Sequence, residues 1–162
     1  MTSKEKEKLN HFLVYVFHEI LKTEEKSISS KISSNLSLRD IHTLEAICLA
    51  NEPGGDNSSA AIASALHVTP GTLTTAVSSL ERKGYLTRSK DPSDKRIVRI
   101  TATEKGVAAQ ERHDAFHHEM IDGILATLTE EEAQIFCRSL EKLGTFFHEK
   151  YLSPAPNNME EK

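Results

Sequence analysis

The sequence predicts a mainly α-helical protein with one small β-hairpin near its middle. Over most of the chain, apolar residues recur at intervals of three and four, which is typical of amphipathic helices. After Gly84, two short β-rich runs instead flank an Asp-Pro turn. A hydrophobic content of 38% in 162 residues is enough for one globular domain, or for a small domain with helices that pair with a second chain.

The N-terminal part of the chain predicts two helices separated by a linker. The first helix covers about residues 8–21, where seven apolar residues form one stripe: Leu9, Phe12, Leu13, Val16, Phe17, Ile20 and Leu21. The polar residues 24–35 predict the linker. Ser37 is the predicted N-cap of the second helix, whose stripe consists of Leu38, Ile41, Leu44, Ile47 and Cys48.

Two short helices joined by a tight turn are predicted next. The first covers about residues 58–66, and the chain turns at His67 and Val68. Thr69 is the predicted N-cap of the second helix, and Pro70 takes its first position. The apolar face of this helix consists of Leu73, Ala76, Val77 and Leu80, so its opposite face is small, polar and nearly free of acidic residues.

The rest of the chain predicts a β-hairpin and two further helices. Gly84 ends the preceding helix, and residues 85–90 and 96–101 form strands around a turn that starts at Asp91-Pro92. One long helix follows Thr103, and a capping box at Thr129 begins the last helix. Residues 153–162 are predicted to be disordered.

Together, the helix pair and the charged hairpin predict a winged helix-turn-helix at residues 37–101, whose second helix enters the major groove of DNA. The net charge is −4, yet residues 57–101 hold seven basic residues and only three acidic ones. A helical interaction module that does not bind DNA is the alternative. The predicted DNA contacts are small, hydroxyl-bearing or basic: Thr69, Gly71, Thr72, Thr74, Thr75, Ser78, Arg82, Arg88, Lys95 and Arg96.

The helices on either side of this lobe predict a homodimer. A lobe of about 45 residues cannot bury the apolar stripes at both ends of the chain. Residues 1–36 and 102–152 are therefore predicted to form a helical dimerisation region, and the two-fold dimer to bind a palindrome. Packing of these helices within one chain is the alternative.

Other classes of protein are not supported by the sequence. It contains no Gly-rich phosphate loop, no Cys-His nucleophile pattern and no carboxylate pair in an evident cleft, so we expect no enzyme. The most apolar N-terminal window, residues 8–21, is shorter than the roughly 20 residues that cross a bilayer, so we expect no membrane partner. Two cysteines without CxxC spacing fit a reduced compartment, and we expect the cytoplasm.

The segment SLERKGYLTRSKDPSDKRIVRITATEKG, residues 79–106, resembles the core of the MarR-type transcriptional regulators, and the resemblance extends over about residues 8–150. It implies that Arg96 enters the minor groove and that Asp94 braces the wing by pairing with a basic neighbour. Asp91 is expected only to start the turn. The middle of the second helix lacks the Arg or Lys that many relatives carry there, so the preferred DNA sequence cannot be copied from them.

Within that family, the segments LSLRDIHTLEAI, GTLTTAVSSLERKGYLTR and HDAFHHEMI resemble the FabT-like repressors of fatty-acid biosynthesis. This resemblance implies a long-chain acyl ligand, presented on acyl carrier protein, as corepressor. Ordinary core packing is the alternative for each residue of the predicted pocket, which consists of Phe17, Leu21, Leu44, Ile47, Phe116 and Met120.

The histidines predict zinc as an alternative effector. His113 and His117 lie four residues apart on one helical face, a spacing that lets two imidazoles share a metal ion. The resemblance to zinc-sensing relatives adds Glu24 and His42 to this ligand set. A polar helix face is the structural alternative. Because acyl-type relatives carry similar histidines, the acyl and zinc hypotheses both stay open.

Overall fold

The computed structural model describes residues 1–152, and the tail predicted to be disordered lies outside them. Its fold is mainly helical with one two-stranded sheet, as predicted. The elements are α1 (Ser3–Ser27), α2 (Leu38–Ala50), α3 (Ser59–Ala65), α4 (Pro70–Arg82), β1 (Leu86–Lys90), β2 (Val98–Ala102), α5 (Glu104–Leu125) and α6 (Glu130–Phe147). The chain divides into two compact units, residues 1–117 and residues from 118 onward.

Helix α1 is longer than predicted at both ends. It runs on through Ser27 into a π-helical turn (Ile28–Ile32), so the predicted linker is wrong over most of its length. The sequence there looks polar, but Glu24, Ser27 and Ile28 recur at helical spacing and are all buried. A helix that buries such a mixed face has only a weak apolar period, which is why the periodicity missed it.

Local capping rules account for the helices of the lobe. Ser37 Oγ accepts a hydrogen bond from Asp40 N at 3.2 Å, and the Asp40 carboxylate accepts one from Ser37 N at 3.0 Å. Thr69 caps α4, and Pro70 occupies its first turn. Gly84, at φ 81°, ends this segment in the left-handed region that favours glycine. The predictions at Ser37, Thr69 and Gly84 are therefore confirmed.

Strands β1 and β2 pair antiparallel, with Arg88 opposite Ile100. The second edge of β2 is bonded as well, because Ile100 N donates to Asn57 O at 3.0 Å and Ser59 Oγ donates to Val98 O at 3.2 Å. Backbone and side-chain bonds thus join the wing to the start of α3. Because both edges of β2 are bonded, the wing is part of the lobe and not a free hairpin.

The core of the first unit lies among α2, α3, α4 and the hairpin. Its most buried side chains come from all of these elements: Ile41, Leu44, Ile47, Ile62, Leu73, Val77, Leu80, Leu86 and Ile100. The apolar stripes predicted for α2 and α4 therefore face one shared core, which holds α4 in place. No helix within residues 1–152 combines the length and apolar character that a bilayer-spanning segment requires.

Gly106, in the first turn of α5, is packed too tightly for any side chain. A Cβ atom there would lie 2.3 Å from Tyr85 O and 3.2 Å from a Leu44 methyl group. We expect Gly106→Ala to lower the free energy of unfolding by about 1–3 kcal/mol, because backbone must shift to admit the methyl group. Urea denaturation checks this.

Gly123 is the matched control for this substitution in the same helix. A Cβ atom at Gly123 meets nothing within 4 Å among the described residues. Gly123→Ala should therefore be neutral or stabilise by up to about 1 kcal/mol. If both variants unfold at the same urea concentration, the close contact at Gly106 does not constrain the fold.

Candidate DNA interface and histidine cluster

The exposed face of α4 carries the residues predicted to contact DNA. Thr72, Thr74 and Thr75 are exposed beside Gly71, while Ser78 is half-buried. The Thr74 hydroxyl donates to Pro70 O at 2.8 Å and the Thr75 hydroxyl donates to Gly71 O at 3.1 Å. Each oxygen keeps free acceptor capacity, and the hydroxyl hydrogen can rotate towards another acceptor. This face is small enough to let a helix approach a DNA groove closely.

The basic residues beside this face differ in their surroundings. The side chain of Arg96 is 91% exposed. Arg82 and Lys95 are also exposed. Arg88 is engaged differently, because its Nε donates to Glu81 Oε2 at 3.0 Å. A phosphate group must therefore compete with Glu81 for this guanidinium. Arg96 is more exposed, but its guanidinium is also paired with a carboxylate, that of Asp94.

Asp94 contacts the arginine that follows it at the wing tip. Arg96 Nε donates to Asp94 Oδ1 at 3.0 Å, and Arg96 Nη2 donates to Asp94 Oδ2 at 2.8 Å. These bonds, together with the one from Arg96 N, hold the pKa of the Asp94 carboxyl below its usual range. The basic neighbour of Asp94 is therefore Arg96 itself, and their fork-like pairing restricts the direction of the guanidinium.

Asp91 does more than start the turn, contrary to expectation. Its Oδ1 accepts hydrogen bonds from the Ser93 hydroxyl and from the backbone of Ser93 and Asp94, and its Oδ2 accepts one from Arg99 Nε at 2.8 Å. These bonds, the Ser93 hydroxyl first, hold the pKa of Asp91 well below its usual range. Asp91 is nearly buried and anchors the base of the wing.

Arg99 extends this anchor beyond the hairpin, a role the sequence analysis missed. Its Nη1 donates to Asp56 Oδ1 at 2.6 Å, in the loop before α3. An Asp-Pro turn could have suggested the role of Asp91 within the hairpin. No local pattern links Arg99 to Asp56, because 43 residues separate them.

A second group of polar residues converges inside the first unit. Glu24 Oε1 lies 2.8 Å from His42 Nε2, 3.3 Å from His113 Nε2 and 3.4 Å from His117 Nε2. The Nε2 atoms of His113 and His117 are 3.1 Å apart. Glu24 is 4% exposed and His113 is 1% exposed. One buried carboxylate oxygen therefore meets three imidazole nitrogens from α2 and α5.

The spacing of these donors fits a small divalent cation. Tetrahedral zinc has ligand bonds of about 2.0–2.2 Å, which place its ligands roughly 3.3–3.6 Å apart. The donor atoms of Glu24, His113 and His117 form such a group, all within 4.8 Å of one another. His42 contacts the same Glu24 oxygen. One of its nitrogens also lies within 4.8 Å of a Glu45 carboxylate oxygen and of a His113 nitrogen. Three donor atoms are therefore spaced as ligands of one cation, and His42, which contacts the same Glu24 oxygen, is the candidate for the fourth.

The protonation state of His113 suits a metal ligand. Burial, followed by the neighbouring His117, lowers the pKa of His113 below its ordinary value. The imidazole of His113 is therefore neutral at pH 7, and a neutral imidazole is the form that binds a metal ion.

The residues predicted to line an acyl pocket occupy contrasting environments. Leu44 and Ile47 are fully buried in the core of the lobe. Phe17 and Leu21 are exposed on α1. Phe116 is half-buried and stacks on His113, with 6.5 Å between ring centroids. Met120, in the second unit, is half-buried as well.

A helix pair with an exposed polar second helix and a basic hairpin defines the winged helix-turn-helix class of DNA-binding proteins. The MarR family model matches residues 36–98 of this chain. The HTH-type transcriptional repressor Rv2887 of Mycobacterium tuberculosis is 31% identical over 137 residues, which are 83% of this chain and 92% of that protein. The chain belongs to the MarR family. This membership confirms that it is a transcription regulator and not an enzyme.

Two further relatives have different coverage. The HTH-type transcriptional regulator YwhA of Bacillus subtilis is 36% identical over 77 residues, 48% of this chain, and the match spans only 55% of YwhA. The crystal structure of Streptococcus pneumoniae FabT in complex with DNA is similar with a TM-score of 0.81 and 29% identity, and it covers 89% of this chain and 98% of FabT. Similarity to FabT thus extends through helices on both sides of the lobe.

Proposed function

We propose that the protein is a cytoplasmic, homodimeric repressor that binds a palindromic promoter site through α4 and the wing. The observation that carries this proposal is the exposed, hydroxyl-rich face of α4 beside the exposed guanidinium of Arg96, which Asp94 orients. In this arrangement α4 enters the major groove and Arg96 enters the minor groove of each half-site. FabT, which shares this fold, binds DNA in its crystal structure.

Exposed apolar side chains on the terminal helices support the homodimer. Large apolar patches on a soluble chain usually mark an interaction surface. On α1 the large exposed apolar residues are Leu9, Phe12, Leu13, Val14, Tyr15, Val16, Phe17 and Leu21. On α6 they are Ile135, Phe136, Leu140, Leu143, Phe146 and Phe147. A second copy of the chain covers these faces, so residues 1–36 and 102–152 form the dimerisation region.

The first candidate effector is a long acyl chain carried by acyl carrier protein. The likeness to FabT over most of the chain supports control of fatty-acid biosynthesis genes. Phe17 and Leu21 offer exposed apolar surface for such a chain, and Phe116 is half-buried. As a corepressor, the acyl chain binds the DNA-competent dimer more tightly than other dimer geometries, and coupling of this kind is typically about 5- to 150-fold.

Zinc is the second candidate effector, and the donor cluster favours it. Glu24, His113 and His117 would hold the ion, with His42 as the fourth ligand. The ion would join α1, α2 and α5 and so change the position of the lobes in the dimer. Because this effect requires neutral imidazoles, it should be lost as the pH falls and the histidines become protonated.

One DNA-binding titration tests whether the protein is a repressor and distinguishes the two candidate effectors. The purified full chain first selects its preferred site from a pool of random DNA duplexes, and binding to that duplex is then measured. The three conditions are chelator alone, added zinc, and long-chain acyl carrier protein with chelator. Enhancement by the acyl carrier protein in chelator supports the acyl chain, whereas recovery only with zinc supports the cation. If the protein is a monomer and selects no duplex, the proposed repressor function is wrong.

Arg96→Ala should weaken binding to the selected duplex by about 5- to 100-fold, the usual cost of one good groove contact. Fluorescence anisotropy measures the change. Lys4→Ala, an exposed cation in the first turn of α1, is the control for lost charge. Equal losses in the two variants would show that Arg96 acts only through the net charge.

Asp94→Ala should also weaken DNA binding, although it removes a negative charge from a surface that meets phosphates. Without Asp94, the Arg96 guanidinium loses its hydrogen-bonded direction and pays more conformational entropy on binding. A mobility-shift titration compares this variant with the unmodified chain. Tighter binding by Asp94→Ala would show that Asp94 only reduces the positive charge of the wing.

A further inference from the structure

We propose that Glu45 is a positioning residue that accepts a hydrogen bond from His113 Nδ1 and thereby holds the imidazole that binds a divalent cation at Glu24. This inference rests on the proposed cation site. It assigns a role to a residue that the sequence analysis did not single out.

His113 provides the first observation. The residue is 1% exposed, and its Nδ1 has no hydrogen-bond partner among the described residues. Its other ring nitrogen, Nε2, faces Glu24 and His117. Buried side-chain nitrogens are rarely left without a partner, so an unpaired one calls for an explanation. The unpaired Nδ1 is therefore a place where a partner is needed in some state of the protein.

Binding of a cation makes that need specific. A ring nitrogen that binds a metal ion must offer its lone pair, so Nε2 carries no proton and the proton of the neutral ring sits on Nδ1. Nδ1 then becomes a buried donor. In metal sites the second nitrogen of a ligating histidine almost always donates to a carboxylate, a carbonyl group or water.

Glu45 is the carboxylate in position to accept this bond. It lies three residues after His42 on α2, which places both on one face of the helix. One carboxylate oxygen of Glu45, one nitrogen of His42 and one nitrogen of His113 lie within 4.8 Å of one another. Glu45 is exposed and therefore free to rotate. A change of side-chain rotamer would be enough to bring a carboxylate already within 4.8 Å into hydrogen-bond range of the His113 ring.

The test measures zinc affinity of the full-length protein by competition with a chromophoric chelator. Glu45→Ala should lower the affinity by about 10- to 100-fold, the usual effect of removing a partner of a ligating histidine. Glu45→Gln keeps a carbonyl acceptor and should restore most of the loss. Glu111→Ala removes an equal charge from an exposed position two residues before His113 and should change the affinity much less.

A second measurement reports the hydrogen bond itself. Nitrogen-15 spectra of the histidine rings should show, on addition of zinc, a protonated Nδ1 of His113 in the unmodified chain. In Glu45→Ala this signal should broaden through exchange. Ser27→Ala tests the Ser27 hydroxyl, the second buried side-chain group that lacks a partner within residues 1–152. If Ser27→Ala, and not Glu45→Ala, reproduces the loss, the proposed role of Glu45 is wrong.

The outcomes separate this inference from the function on which it rests. If the unmodified chain does not bind zinc, the cation site and the role of Glu45 both fail. If the unmodified chain binds zinc and Glu45→Ala binds it equally well, only the role of Glu45 fails. If Glu45→Ala and Glu111→Ala lose equal zinc affinity, the loss comes from the change in net charge, and the inference is also wrong. Far-UV circular dichroism verifies that each variant is folded.

Discussion

Affinity for the selected palindrome is expected to fall by about 10³- to 10⁵-fold between roughly 50 and 200 mM salt, as for a protein with 6–10 phosphate contacts. Each lobe exposes Arg82, Lys95 and Arg96 next to α4, and Arg88 can join them by releasing Glu81. A two-fold dimer doubles this number. The overall negative charge of the chain does not oppose the effect, because its acidic residues lie mainly outside the lobe.

Fluorescence anisotropy at a series of salt concentrations gives the slope of log affinity against log salt. The slope should be about −0.9 for each phosphate neutralised. Lys95→Ala should reduce its magnitude by about 1 for each copy of the chain, whereas Lys4→Ala should leave it unchanged. A slope near zero for the unmodified protein would contradict DNA binding through this surface.

Glu24→Ala is expected to lower zinc affinity by more than about 100-fold. Loss of even an outer partner of a ligand typically costs 10- to 100-fold, and Glu24 supplies the one oxygen that meets all three imidazoles. Chelator competition measures the affinity. Glu25→Ala, which removes the exposed carboxylate next in the chain, is the matched control.

A buried carboxylate can also support the fold, so the variants at this position need a second readout. Glu24→Gln keeps the size of the side chain and one strong acceptor oxygen. It should fold like the unmodified chain and still bind zinc much more weakly. If Glu24→Gln and Glu24→Ala both retain full zinc affinity, the convergence of histidines on Glu24 is a structural hydrogen-bond network and not a cation site.

Much of the lobe, and the start of α6, was predictable because the signals are local. Ser37, Thr69 and Thr129 cap their helices within three residues, and Gly84 ends α4 through its own backbone conformation. The wing followed from two β-rich runs and an Asp-Pro turn. Such signals depend only on residues close in sequence, so they hold whatever tertiary contacts the folded chain makes.

Features set by distant residues were not predictable in the same way. Helix α1 continues through Ser27 because distant residues bury Glu24 and Ile28. The local sequence does not show which residues pack there. Leu44 and Ile47 have the same periodicity whether they fill a core or line a cavity, and only the structure assigns them to the core. For the histidine cluster, the helical spacing linked His113 with His117, but its other members came from the family resemblance.

The bonds of Arg99 to Asp91 and Asp56 carry a consequence for the operator. They fasten the wing to the loop before α3. We therefore expect the distance between α4 and the wing tip to be fixed within each copy of the chain. One base pair inserted between the major-groove and minor-groove contacts of a half-site should therefore destroy recognition. Base pairs inserted between half-sites meet only the flexibility of the dimer. In the proposed dimer, an effector would then have one geometric quantity to adjust, the distance between the DNA-binding surfaces of the two copies.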